Sequence, residues 1–260
     1  MKKTKSALVL SGGGALGLAH IGVLKKLEET YEFDFLAGVS AGAIVAAGIS
    51  TGQKADDIWK AIGSTNLFNL AFEFSGKNTG LIKGDAIYQI LDEIFEGKTF
   101  EDLEVPLFIG TTDFSTGERV TLSSGKIANA VRASLSVPVI FEPYFHEESG
   151  RYLVDGGLTQ NFPLDLAINQ YKGEKIIGVN VANVKDLPED FHTDKFFGRN
   201  KDLFRNLQRT FKIFFRSQQN FALDERVQII EPDLTNFSSA TLSRSKFQEI
   251  LDAGENALKL

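Results

Sequence analysis

The 260-residue sequence has no cysteine and only three histidines, His20, His146 and His192. Without cysteine there are no disulfide bonds, no thiolate nucleophile and no cysteine metal site. The histidines show no H-x-x-x-H or H-E-x-x-H spacing, so we expect neither a metal nor a cofactor. Excess basic charge is also lacking, because the formal net charge is -6, and this argues against nucleic acid as a partner.

Long apolar runs and biased segments are missing as well. No window approaches the roughly 18 apolar residues of a membrane-spanning helix, and there is no low-complexity tract, linker or internal repeat. The apolar run at 7–10 follows N-terminal lysines, but it is shorter than the core of a secretion signal. We therefore expect one domain over residues 1–260 and a cytoplasmic location, and the oligomeric state stays open.

Apolar segments with strand character alternate along the chain with segments of helical periodicity. Strands are predicted at 6–10, 35–39, 106–113, 151–154, 175–181 and 227–231. Helices are predicted at 15–29, 41–51, 84–96, 127–135, 163–170, 200–221 and 243–258. This alternation is typical of an α/β fold, a three-layer αβα sandwich around a central, mostly parallel sheet. Ligand sites in such sheets form at the carboxyl ends of the strands.

The pentapeptide Gly38-Val39-Ser40-Ala41-Gly42 lies between an apolar strand and an apolar helix. In this context a G-x-S-x-G run exposes a nucleophilic serine on a strained strand-to-helix turn. A side chain at either Gly38 or Gly42 would collide with neighbouring backbone there. Ser40 is therefore the candidate nucleophile, and the alternative is that Ser40 is an ordinary helix N-cap.

Two further motifs also follow predicted strands. The glycines Gly12, Gly13 and Gly14 open the first helix, and Gly17 completes their motif. Their N–H groups can point together into a cleft, where the helix N-terminus adds positive potential, so a negative oxygen would be stabilised. The third motif is Asp155 with Gly156 and Gly157, which places a carboxylate on a turn too small to shield it. A D-G-G turn alone is more often structural.

Taken together, these motifs resemble the patatin-like phospholipases in order and wording. The resemblance extends through Gly17–Leu24, Arg132–Pro143, Leu158–Pro163 and Val227–Leu234. It implies a lipid acyl hydrolase of the phospholipase A, lysophospholipase or esterase type, acting on a lipid or small ester. It also implies that Ser40 is the nucleophile, Asp155 its partner in a Ser-Asp dyad, and Gly12–Gly14 the oxyanion loop, with no metal or cofactor.

One position departs from the family pattern. Many members carry Arg or Lys before the last glycine of the first motif, where this chain has Leu16. A cation there could hold a phosphate-bearing head group or support the loop. Its absence favours esterase activity over phospholipase activity, and hydrolysis of uncharged esters over that of diacyl phospholipids.

Two other functions compete with this interpretation. An acyltransferase would use the same acyl-enzyme, although the malonyl transferases of a related fold usually carry His where this chain has Ala41. A dinucleotide-binding protein is the second, since Gly12–Gly17 satisfies G-x-G-x-x-G and Asp34 follows about 20 residues on. However, Asp34 is predicted to precede the second strand instead of ending it, and the serine and aspartate motifs would be unexplained.

A Ser-His-Asp triad is the alternative to the dyad. In the order of the α/β-hydrolases it would need His192, the only histidine after Asp155, and His192 lies in a polar segment that reads as a loop. We expect His20 to be a hydrogen-bonded core residue on the packed face of the first helix. His146 is predicted at a solvated hairpin tip, so no histidine is assigned to catalysis.

The stretch Lys201–Arg216 combines an apolar arc with an adjacent basic stripe at about 100° per residue. The arc consists of Leu203, Phe204, Leu207, Phe211, Phe214 and Phe215, and the stripe of Lys201, Arg205, Arg209, Lys212 and Arg216. We expect the arc to pack on the sheet and the cations to form its solvated edge. Peripheral membrane contact and a dimer interface are the alternatives for this helix.

Overall fold

The computed structural model describes residues 3–64, 84–182, 199–218, 224–239 and 243–258. The strands are β1 (Thr4–Leu10), β2 (Tyr31–Val39), β3 (Leu107–Asp113), β4 (Arg119–Leu122), β5 (Tyr144–His146), β6 (Arg151–Asp155), β7 (Ile176–Val179) and β8 (Val227–Ile230). The α-helices are α1 (Leu18–Thr30), α2 (Ala41–Ser50), α3 (Ala55–Ser64), α4 (Asp85–Ile94), α5 (Ile127–Ser134), α6 (Leu164–Gln170), α7 (Arg199–Ser217) and α8 (Arg244–Glu255). Single 3-10 turns occupy Gly14–Gly17, Phe100–Asp102 and Gly156–Leu158.

The described strands form one sheet in which β3, β2, β1, β7 and β8 are successive neighbours, β6 pairs with β3 and β5, and β4 pairs with β3. Strands β3, β2, β1, β7 and β8 run parallel, whereas β4, β5 and β6 are antiparallel to their neighbours. Alternate residues of β1 enter two separate hydrophobic clusters: Leu8 and Leu10 pack on one face of the sheet, and Ala7 and Val9 on the other. The predicted α/β sandwich with helices on both faces is therefore confirmed.

Strand β3 determines how the site is assembled. Gly110 pairs with both β2 and β4, so these two strands lie on opposite edges of β3. Thr111 pairs with both β4 and β6, so β6 lies on the same edge as β2. In this register Val39 is opposite Gly110, and Asp155 is opposite the next residue, Thr111. The end of β2 and the end of β6 therefore meet beside one strand.

Three elements are absent from the sequence-based prediction. Strands β4 and β5 are only four and three residues long, too short to show a period of two. Helix α3 is amphipathic, and its apolar residues Ile58 and Ile62 enter the main core. The first predicted helix also begins later than expected, because Gly14–Gly17 forms a 3-10 turn before α1. Residues 219–221 of the predicted helix 200–221 lie outside the described residues.

The position of Asp34 was predicted incorrectly. Strand β2 begins at Tyr31, so Asp34 lies inside the strand and well before its carboxyl end. Its carboxylate accepts a hydrogen bond from the Tyr171 hydroxyl at 2.7 Å and lies 3.9 Å from the Lys5 ammonium. An acid that binds a ribose is needed at the carboxyl edge of the sheet, so these contacts give Asp34 a structural role.

Candidate active site

Ser40 forms the elbow between β2 and α2. Its backbone has φ 52° and ψ -122°, and only a few per cent of non-glycine residues adopt a positive φ. The residue is 7% exposed and lies at the carboxyl edge of the sheet. Strained conformations of this kind persist only where the surroundings fix them, and they cluster at active sites.

The glycines on either side of Ser40 allow the elbow to close. A Cβ on Gly38 would lie 2.5 Å from the Gly42 carbonyl oxygen. A Cβ on Gly42 would lie 2.5 Å from the carbonyl oxygens of both Leu10 and Ser11. Because these neighbours are backbone atoms that cannot rotate away, neither position accepts a larger residue, as expected from the motif.

Helix α5 anchors the elbow through the fully buried Ser134. The Ser134 Oγ accepts a hydrogen bond from the Ser40 N–H at 2.8 Å and donates one to the Gly110 carbonyl at 2.7 Å. Two residues later, the Ser136 carbonyl accepts the Asp155 N–H at 3.0 Å. Residues 134–136 therefore fix the backbone of both candidate catalytic residues. Sequence patterns assign Ser134 no role, because its partners are backbone atoms of distant strands.

The glycine loop after β1 lies against the elbow. A Cβ on Gly12 would come within 3.2 Å of the Ser40 Cβ. The Gly12 N–H donates to the Asn161 carbonyl at 3.0 Å, whereas neither the Gly13 nor the Gly14 N–H has an acceptor among the described residues. Gly14 has φ 57° and starts the 3-10 turn that leads into α1. The N–H groups available to a ligand in this loop are therefore those of Gly13 and Gly14.

Asp155 is the last residue of β6, and its side chain faces Ser40. The carboxylate accepts a hydrogen bond from the Gly157 N–H at 2.7 Å, and the nearby Ser40 hydroxyl also stabilises its charged form. The Thr112 hydroxyl donates to the Asp155 backbone carbonyl at 3.0 Å. A Cβ on Gly156 would overlap the backbone of β3, so the turn is held tightly against that strand.

Burial changes the acidity of Asp155. It raises the pKa of this carboxyl from 3.8 to about 6, while the hydrogen bonds from Ser40 and Gly157 act in the opposite direction by stabilising the carboxylate. Among the described residues no cation forms an ion pair with Asp155. At neutral pH the group is ionised, yet its pKa is close enough to 7 for it to accept and return a proton.

Of the environments predicted for the histidines, one is confirmed and one is wrong. His20 is a core residue as predicted: its Nε2 bonds to the Ser11 carbonyl at 2.8 Å, and burial lowers its pKa to about 4. The prediction that His146 lies at a solvated hairpin tip is wrong, because it ends β5, is 5% exposed and bonds through Nδ1 to the Ser149 hydroxyl at 2.9 Å. His192 lies outside the described residues.

Leu16 follows the glycine loop directly. Its side chain is half-buried and packs against the main hydrophobic core. A longer cationic side chain at this position would have to leave the core and extend past the 3-10 turn. Leu16 therefore contributes apolar packing where many family members carry a positive charge.

Two polar residues that sequence reasoning missed connect the glycine loop with the turn after Asp155. The Asn161 Nδ2 donates to the Gly12 carbonyl at 3.2 Å, next to the bond from the Gly12 N–H to the Asn161 carbonyl. Gln218, directly after α7, accepts the Asn161 N–H at 2.7 Å and donates to the Gly157 carbonyl at 3.0 Å. These bonds join backbone atoms to side chains far apart in the sequence, so no spacing signals them.

The expectation that the apolar arc of α7 packs on the sheet is not borne out where its side chains are described. Where side chains are described near its end, Phe211 and Phe215 are half-buried, but Ile213 and Phe214 are 51% and 43% exposed. This part of the helix packs on the turn Gly156–Leu158. The apolar arc is therefore divided between the active-site turn and the surface.

Two kinds of feature are absent from the described ranges. There, no cluster of three or more His, Asp or Glu side chains has the geometry of a metal site. Within the same ranges, none of the helices combines the length and apolar character needed to cross a membrane.

Comparison with known proteins places these features in a family. The family model of the patatin-like phospholipases matches residues 8–168. Patatin-like phospholipase domain-containing protein 6 of Mus musculus is 30% identical over 200 residues, which are 74% of this chain and 14% of that protein. An uncharacterized NTE family protein of Mycobacterium tuberculosis is 33% identical over 196 residues, which are 74% of this chain and 32% of that protein.

A solved structure shares the fold. The crystal structure of VipD from Legionella pneumophila matches with a TM-score of 0.53 at 14% identity, covering 96% of this chain and 65% of that one. The chain spans less than a third of the length of the two sequence relatives named above. The family model, in contrast, matches more than half of the chain and includes the glycine loop, Ser40 and Asp155. The chain therefore belongs to the patatin-like phospholipase family.

Proposed function

We propose that the chain is a serine lipid acyl hydrolase that cleaves carboxylic esters through a Ser40–Asp155 dyad. The observation that carries this proposal is the convergence of buried Ser40 and buried Asp155 at the ends of β2 and β6 beside β3, where the Ser40 hydroxyl is near enough to stabilise the carboxylate. Membership of the patatin-like phospholipase family supports a lipid ester as the substrate class.

In the first half of the reaction Asp155 accepts the hydroxyl proton as the Ser40 Oγ attacks the ester carbonyl carbon. Negative charge then develops on the carbonyl oxygen. The free N–H groups of Gly13 and Gly14 are the proposed donors to this oxyanion, and loss of one such donor in other enzymes costs about 3 kcal/mol. Protonated Asp155 gives its proton to the leaving alcohol, and an acyl-Ser40 ester remains.

In the second half Asp155 removes a proton from water, which attacks the acyl carbonyl. The same oxyanion donors act again, and the proton returns to the Ser40 Oγ as the carboxylic acid leaves. A carboxyl with a pKa of about 6 serves both directions, because it is ionised before each attack and acidic enough to return the proton. No metal or cofactor takes part in either step.

The proposal is tested by labelling with a fluorophosphonate probe, followed by turnover of a panel of esters and phospholipids. We expect Ser40 to be the labelled residue, and Ser40→Ala to lose labelling and turnover while retaining its circular dichroism spectrum. A folded wild-type protein that neither labels nor hydrolyses any ester would contradict the proposal. Products formed with added alcohols in place of water would instead identify the enzyme as an acyltransferase.

Leu16 defines the expected substrate preference within this class. We expect uncharged esters of short or medium acyl chains to give a higher kcat/KM than diacyl phospholipids. A cation near the glycine loop would stabilise an anionic head group, most strongly where water is partly excluded, so Leu16→Arg should narrow the gap. A wild-type preference for phospholipid, or an unchanged ratio in a folded Leu16→Arg variant, would refute this assignment.

A further inference from the structure

Helix α7 lies beyond the range that the family model matches, yet it reaches the turn that follows Asp155. A Cβ placed on Gly157 would lie 3.1 Å from the Phe215 Cε1 and 3.0 Å from the Asp155 Oδ1. The space of a single methyl group therefore separates the Phe215 ring from the carboxylate. The Phe211 ring, with its centroid 5.9 Å from that of Phe215, supports this orientation from the preceding turn of the helix.

Gln218 fixes the end of α7 to the same turn. Its Oε1 accepts the Asn161 N–H at 2.7 Å, and its Nε2 donates to the carbonyls of Gly157 at 3.0 Å and Leu158 at 3.4 Å. Both polar ends of one amide are thus used on the five residues from Gly157 to Asn161. Gln218 follows Phe215 by three positions, so the bonds of Gln218 also set the position of the Phe215 ring.

We propose that Phe215 and Gln218 are positioning residues for the base, in which Gln218 binds α7 to the turn after Asp155 and Phe215 keeps water away from the carboxylate. The inference rests on the proposed function, because it takes Asp155 as the base. An apolar cover disfavours the charged form of a carboxyl and so strengthens it as a base. The raised pKa of Asp155 agrees with such a cover.

Charged groups on the surrounding elements do not explain the raised pKa of Asp155. The charged side chains on the elements packed around Asp155 include Asp113, Arg132, Arg151, Lys212 and Arg216. Asp113 and Arg151 form an ion pair with 3.3 Å between their charged groups, and the guanidinium of Arg132 donates to the Ser136 hydroxyl and the Gly84 carbonyl. Arg216 is exposed. Desolvation by burial is the cause that raises the pKa of Asp155, and no charged group is among the causes of its shift.

The decisive experiment compares Phe215→Ala with Phe214→Ala. Phe214 is the adjacent residue on the same helix and is 43% exposed, so its loss matches the change in composition without uncovering Asp155. We expect the acidic limb of the kcat/KM profile to move to lower pH by about one unit in Phe215→Ala, because water reaches the carboxylate. Phe214→Ala should keep the wild-type profile.

Gln218→Ala provides an independent test of whether Gln218 holds α7 on the turn after Asp155. It should move the acidic limb in the same direction as Phe215→Ala, since the helix end is released while the aromatic ring is retained. Circular dichroism confirms folding, and Phe215→Leu is the second variant if Phe215→Ala does not fold. Its smaller apolar side chain should give a smaller shift in the same direction.

The titration of Asp155 is also followed directly by 13C NMR of its carboxyl group, which needs no turnover. If the Asp155 pKa in folded Phe215→Ala equals that of wild type, or Phe214→Ala changes it equally, the inference is wrong. Failure of the proposed function has another signature: Ser40→Ala would retain turnover, while the NMR comparison would still report on Phe215.

Discussion

The Ser40 side and the Asp155 side of the site are held in place by different kinds of contact. On the nucleophile side, a Cβ on Gly38 or Gly42 would lie 2.5 Å from backbone oxygens, so the elbow has no room for a side chain at either position. On the acid side, the turn also packs on backbone at Gly156, but three side chains hold it in addition: the Thr112 hydroxyl, the Gln218 amide and the Phe215 ring. The first side depends mainly on close backbone packing, with Ser134 as its side-chain anchor, whereas the second can be adjusted at several side chains.

The largest effect is expected on the acid side, from Asp155→Asn. The amide matches the carboxylate in size and can still accept the Gly157 N–H, but it cannot take the proton of Ser40 at neutral pH. We expect kcat to fall by about 10³-fold or more in steady-state ester assays. Retention of most activity in Asp155→Asn, together with its loss in His20→Ala or His192→Ala, would replace the dyad by a triad.

The same substitution should stabilise the fold at neutral pH. Because the pKa of Asp155 is about 6 in the folded protein and 3.8 as its reference, its contribution to stability is present below pH 3.8 and lost as pH rises through 6. The amide of Asp155→Asn does not ionise, so this variant does not lose stability as the pH rises. The free energy of unfolding from urea titrations should exceed that of wild type by up to about 3 kcal/mol at pH 7. The difference should vanish below pH 4, and a difference independent of pH would contradict the assignment.

On the nucleophile side, Ser134→Ala tests whether the elbow depends on its single side-chain anchor. The change leaves the Ser40 N–H and the Gly110 carbonyl buried without their partner, at a cost of about 1–3 kcal/mol for each group. We expect kcat to fall about 10- to 100-fold with little change in KM, because Ser40 is displaced from its hydrogen bond to Asp155. An unchanged rate of fluorophosphonate labelling would show that the glycines alone fix the elbow.

The smallest effect is expected from Thr112→Val, the matched deletion on the acid side. It removes the hydroxyl that bonds to the Asp155 carbonyl and to the Thr159 hydroxyl, but the carboxylate keeps the Gly157 N–H and the nearby Ser40 hydroxyl. We expect kcat to fall by about two- to fivefold, since both lost hydrogen bonds are neutral and neither involves the carboxylate. Activity measured beside Ser134→Ala compares one side-chain anchor from each side: a larger loss in Thr112→Val would show that Asp155 depends on its anchor more than the Ser40 elbow does.

The same contrast explains what the sequence could predict. Close approach of two backbone segments requires glycine, and glycine is visible in a sequence. Gly38 and Gly42 therefore indicated the elbow at Ser40, and Gly12–Gly14 indicated the loop that lies against it. The apolar segments before Ser40 and Asp155 likewise predicted strands that end at one edge of the sheet. These features depend on local residue type and therefore leave a pattern.

The rest of the site leaves no such pattern. Ser134, Asn161 and Gln218 act through hydrogen bonds to backbone atoms of distant segments, and any polar residue at those positions would look the same in the sequence. His146 was misplaced because its burial depends on a three-residue edge strand that periodicity cannot detect. These contacts depend on which distant segments the fold brings together, and residue type alone does not reveal this.

The placement of β2 and β6 along one edge of β3 has a consequence for how the chain can vary. Ser40 and Asp155 are spaced by hydrogen-bond register on one strand, so the length of chain between them does not set their separation. A shift of one residue in the pairing of β6 would turn the carboxylate to the opposite face of the sheet. Residues 114–118 between β3 and β4 are all exposed. We therefore expect insertions there to be tolerated without moving the dyad, whereas a single deletion within β6 would abolish it.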